Sequence, residues 1–60
     1  MRKIKLYDGE IAEVKDVMID VDGTNLSEGV DIYVGGKYLS SIVGAKADEV
    51  TEDMIDLLME

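Results

Sequence analysis

Two carboxylates one residue apart, Asp20 and Asp22, close an apolar stretch and lead into Gly23-Thr24. Paired acids at the end of a strand are the groups that acid/base work, phosphoryl transfer and hard-cation binding draw on. The rest of the chemical inventory is sparse. There is no Cys and no His, which removes thiolate nucleophiles, imidazole bases and every thiolate or imidazole metal site. Ser40 and Ser41 have no imidazole to activate them. Gly35-Gly36 has no phosphate-cradling pattern around it and reads as a tight turn. No catalytic residue and no cofactor is expected.

Asp20-Val21-Asp22-Gly23-Thr24 resembles the first motif of the haloacid-dehalogenase-like phosphatases. The resemblance implies Asp20 as nucleophile and Asp22 as acid/base, with Mg²⁺ held by both. That family completes its site with a downstream Ser/Thr, a Lys and a further acidic pair on a parallel α/β domain. After Thr24 this chain is too short for a βαβ sheet, so the motif is expected to be a structural turn. A calcium loop fits no better. With Asp20, Asp22 and Gly23 in register, its first and last positions fall on Met18 and Gly29, which offer no oxygen side chain. A weak cation site around Asp20, Asp22 and Glu28 is the metal reading that remains.

The elements that must position these groups follow from periodicity and turn chemistry. Arg2 to Tyr7 alternates, with Ile4 and Leu6 on one face, and Asp8-Gly9 signals a hairpin. Two registers compete: Leu6 opposite Ile11, or Leu6 opposite Ala12 with Ile4 opposite Val14 and Lys5 opposite Glu13. The second makes better cross-strand pairs. The return strand runs from Glu10 to Asp22, but Ala12 and Val14 share one parity while Val17, Ile19 and Val21 share the other. A bulge or bend is therefore expected near Lys15-Asp16. A second hairpin turns at Gly35-Gly36 and pairs Ile32 with Leu39 and Tyr33 with Tyr38. Thr51 caps a helix over Glu52 to Glu60, with Val50 and Ile55 as a hydrophobic staple and Met54, Leu57 and Leu58 as the docking stripe.

The expected architecture is a single small acidic α+β domain over residues 1–60. It is a four-stranded antiparallel sheet of two hairpins with one C-terminal helix packed on one face. An SH3-like small barrel with a terminal helix is the alternative, reached if the Lys15-Asp16 bend is sharp.

Fourteen acids against six bases leave a formal charge of −8. Such a surface repels phosphate backbones and anionic membranes, so neither nucleic acid nor membrane is an expected direct partner. No apolar run approaches a membrane span, and the basic N-terminus has no apolar segment behind it, so a cytoplasmic setting is expected. Two surfaces stand out. Acids at Glu49, Glu52, Asp53, Asp56 and Glu60 gather on one side of the helix and would meet a basic partner protein. Tyr33, Tyr38 and Ile42, assigned to the sheet face away from the helix, would form an oligomer interface. In size and charge the chain is similar to many inhibitors carried by phage and mobile elements, including anti-CRISPR proteins and DNA mimics. The expected function is a non-enzymatic acidic binding module that modulates a basic, nucleic-acid-binding protein. A structural homo-oligomer, such as a homodimer, is the alternative.

Overall fold

A computed structural model describes all sixty residues. Four strands run β1 (Arg2–Lys5), β2 (Ile11–Asp20), β3 (Leu26–Val34) and β4 (Lys37–Val43). They form one antiparallel sheet in the order β1-β2-β3-β4. A short 3₁₀ turn at Ala47–Glu49 then leads into a helix, α1 (Glu52–Met59). This is the expected α+β architecture, as an open sheet rather than a barrel. No helix is long and apolar enough to cross a membrane.

The first hairpin takes neither of the two expected registers. Arg2 pairs with Val14, Lys3 with Glu13 and Ile4 with Ala12. The turn sets this. Leu6 N–H donates to Glu10 O at 2.8 Å and Gly9 N–H to Leu6 O at 3.0 Å, so Leu6 and Glu10 face each other across Tyr7-Asp8-Gly9. Gly9 supplies the left-handed residue at φ +90°, and the Asp8 carboxylate accepts Glu10 N–H at 2.9 Å. Ile4, Leu6, Ala12 and Val14 thereby share the core face.

The bulge expected near Lys15-Asp16 is absent. β2 pairs with β3 without a break from Ala12–Val34 to Asp20–Leu26. Apolar parity changes for another reason. The front-face residues of β2 are covered by later chain only at Ala12 and Val14, and beyond that point Val17 and Ile19 are half-buried on the back face. Ile19 lies over Gly29, where an added Cβ would collide with its Cδ1 and stand 2.7 Å from the Ile42 carbonyl oxygen. The irregularity sits instead in the second hairpin. Tyr33 pairs with Tyr38 as expected, but Ile32 pairs with Ser40, so Leu39 is the extra residue and packs against the core. The bulge moves Ile42 as well: it lies opposite Val30 and packs against the core, not beside the tyrosines.

The core is Leu6, Ala12, Val14, Val30, Ile32, Ala47, Val50 and Ile55, and no polar residue is buried with it. Thr51 Oγ1 accepts Met54 N–H at 3.3 Å, the expected N-cap, and the staple residues Val50 and Ile55 are both fully buried. The expected docking stripe is corrected. Ile55 is the helix residue in the core, Met54 is half-buried, and Leu57 is 69% exposed. With the staple fixing Ile55 inward, Leu57 stands roughly 160° away around the helix.

Two side chains hold the α1 approach on the sheet. Arg2 Nη1 donates to the carbonyls of Ala47 at 2.9 Å and Val50 at 2.8 Å, and Asp16 accepts Ala47 N–H at 2.8 Å. Arg2→Met keeps the aliphatic stem and removes both donors. It is expected to cost about 1–3 kcal/mol, read as a lower midpoint in urea unfolding; an unchanged midpoint would show that the clamp holds nothing.

Candidate functional site

The Asp20–Asn25 turn is built from its own acids. Asp20 Oδ1 accepts Gly23 N–H at 2.6 Å. Asp22 Oδ1 accepts Thr24 N–H at 3.0 Å, Thr24 Oγ1–H at 3.1 Å and Asn25 N–H at 2.8 Å, and its Oδ2 accepts Asn25 Nδ2–H at 2.8 Å. Gly23 takes φ +89°. Hydrogen bonds from Asn25 and Thr24 pull the Asp22 carboxyl down to about 2. The two carboxylates are thus engaged in shaping the tip, and no group of three or more acids draws together to hold a cation. Glu28 does not join Asp20 and Asp22 in such a group.

The helix acids divide by position. Glu52 and Asp56 flank the buried Ile55 and are half-buried, whereas Asp53 and Glu60 are exposed. Glu52 Oε2 is buried without a hydrogen-bond partner. Glu49 faces the 3₁₀ turn, where its Oε1 accepts Lys46 N–H at 2.9 Å. Counting about 100° per residue, Asp53, Leu57 and Glu60 fall within an arc of roughly 60° on the side away from the sheet, with the half-buried Asp56 at its margin. Leu58 and Met59, 40% and 41% exposed, lie nearer the sheet. An exposed leucine among carboxylates was not legible as such in the sequence, because five apolar residues of α1 compete for the inward side. Tyr7, 80% exposed on the first turn, feels the same acids: Glu52 first, then Asp53, raise its hydroxyl pKa.

The back of the sheet is a polar–aromatic network. Tyr33 and Tyr38 meet edge to face at 5.7 Å between ring centroids. Lys15 Nζ stands 5.0 Å over the Tyr33 ring. The Tyr38 hydroxyl lies 2.7 Å from Ser41 Oγ, which donates to Asp31 at 2.6 Å. Of the three expected interface residues, Tyr33 and Tyr38 stand together and Ile42 is on the opposite face.

No family model, no curated protein and no solved structure matches the chain.

The depressed Asp22 pKa carries a pH signature. A group whose folded pKa lies below its unfolded value contributes stability above the unfolded pKa and loses it as pH falls through the folded one. The turn should therefore weaken between the ordinary aspartate pKa of 3.8 and about 2. Carboxyl NMR titration should place the Asp22 midpoint near 2, and a midpoint at the ordinary value would refute the hydrogen-bonded turn.

Proposed function

We propose that this chain is a non-enzymatic acidic module that docks on a basic, nucleic-acid-binding protein and modulates it. Inhibitors of phage and mobile elements, the DNA-mimic and anti-CRISPR proteins among them, work in this way, and a cytoplasmic setting fits that role. The observation that carries the reading is the outer side of α1, where Leu57 is 69% exposed between Asp53, Asp56 and Glu60. An apolar anchor ringed by charge suits a specific interface: the anchor supplies desolvation, and the rim steers encounter and selects sign. Support also comes from the charge of −8, which favours a cationic surface over phosphate or anionic lipid.

The back face supports a second reading, self-association through Tyr33 and Tyr38. No other layer covers that face, and Tyr38 is 58% exposed there. Sedimentation equilibrium distinguishes the two readings, because Tyr38→Glu would dissociate an oligomer built on this face and leave a monomer unchanged.

Capture from cell lysate tests the first reading. Asp53→Lys with Glu60→Lys reverses two exposed charges and spares the half-buried Glu52 and Asp56, so folding should be preserved. The parent chain should retain basic proteins that elute as salt rises, since exposed charges are screened beyond ~8 Å at physiological ionic strength. The double reversal should lose them, with binding weakened about tenfold or more through slower association. Equal capture of the same proteins by both chains at low salt would reduce the helix acids to a solvated face.

A further inference from the structure

β2 outruns its neighbour. β1 ends at the Arg2–Val14 pair, while β2 continues to Asp20 with only β3 beside it. Leu6 N–H donates to Glu10 O, and Gly35 N–H donates to Ile11 O. Even-numbered residues of β2 therefore turn their backbone toward β1, and odd-numbered residues turn theirs toward β3. Past the end of β1, Asp16, Met18 and Asp20 direct N–H and C=O groups outward with no strand to receive them. The edge borders a cleft of about 680 Å³ whose walls include Met1, Met18, Glu28, Ala45 and Lys46. Met18 is 58% exposed.

We propose that this edge, Asp16 to Asp20, receives an extended segment of a basic protein as an added strand in line with β1. The proposal rests on the basic-partner reading and gives it a mode of attachment separate from α1. Open edges are the usual template for strand addition, in which main-chain hydrogen bonds give affinity and alternate side chains give selectivity. The side chains of β2 define what fits. In an antiparallel segment, residues opposite Asp20 and Asp16 lie beside carboxylates and favour Lys or Arg. The residue opposite Met18 is apolar and faces the cleft. Residues opposite Ile19 and Val17 lie on the back face and favour β-branched apolar side chains. The matching pattern is basic-apolar-apolar-apolar-basic.

A second copy of this chain fits the same edge poorly. Pairing two β2 edges antiparallel about Met18 places Asp16 of each copy opposite Asp20 of the other, and like charges directly opposite are destabilising.

The test uses the full chain and a blocked synthetic peptide with Lys-Val-Leu-Val-Lys at its centre, followed by amide NMR and hydrogen exchange. The peptide should shift the amides of Asp16, Met18 and Asp20 and slow exchange of Met18 N–H. A peptide with Glu at both charged positions should do neither. Met18→Pro removes the outward donor without touching the β3 ladder, and should weaken binding about tenfold. N-methylation of the peptide's central Leu should do the same while leaving the protein unaltered. The proposal is overturned if no shift appears up to about 1 mM peptide. It is also overturned if shifts are confined to α1, an outcome that leaves the helix reading standing. Concentration-dependent shifts at Asp16–Asp20 without peptide would give the edge to a second copy instead.

Discussion

An eight-residue helix does not persist in water by itself; it survives by being held against something. Here the holding is done at its approach rather than along its length. The Arg2 guanidinium spans the carbonyls of Ala47 and Val50, the Asp16 carboxylate takes the Ala47 amide, and Val50 and Ile55 drop into the sheet on either side of the Thr51 cap. These contacts join the first strand to the last element and close the only apolar layer the chain has. Without them the front of Ala12, Val14, Val30 and Ile32 would face water. At about 1.5–3 kcal/mol for each large aliphatic side chain buried, that layer is a large share of what so short a chain can assemble.

The clamp also sets where charge resides. No charged residue lies in the core, so the excess of acids is carried on the surface, and the register decides its distribution. Lys3, Lys5 and Lys15 share the back of the sheet with Glu13, Asp31 and the tyrosines, whereas the helix side gathers Glu52, Asp53, Asp56 and Glu60 with no basic residue in its last turn. The two faces are therefore unlike in chemistry. One is a lysine–tyrosine network and the other an acidic ridge with an exposed leucine, so a partner suited to one does not suit the other.

Much of the architecture is readable from turn chemistry: Asp8-Gly9, Gly35-Gly36 and Thr51 all punctuate where expected, and the Val50–Ile55 staple already names the inward residue of the helix. What escapes reading is whatever depends on cover. Val17 and Ile19 read as a change of strand phase because parity alone cannot reveal that the front layer stops at Val14. Leu39 is an extra residue in a strand whose alternation looks regular, and that one insertion carries Ile42 from the expected tyrosine face to the core. In α1, Met54, Ile55, Leu57, Leu58 and Met59 leave no polar gap to orient the helix, so periodicity favoured Leu57 for the interior while the staple selected Ile55. The acids at Asp20 and Asp22 show the converse limit: residue types suited to catalysis are engaged in folding their own turn.

The meander order has a consequence for folding. Each strand pairs with the one before it in sequence, so the sheet can zip from near-neighbour contacts, with little loop closure to wait for. Its covering layer comes last in sequence. Until Val50 and Ile55 dock, the chain carries an aliphatic plate open on one side, and a partly folded species of that kind is the one most exposed to chaperones and to aggregation. Like-charge repulsion among the acids that punctuate the strands and tip opposes self-association of that half-finished surface until Arg2 reaches the carbonyls that close it.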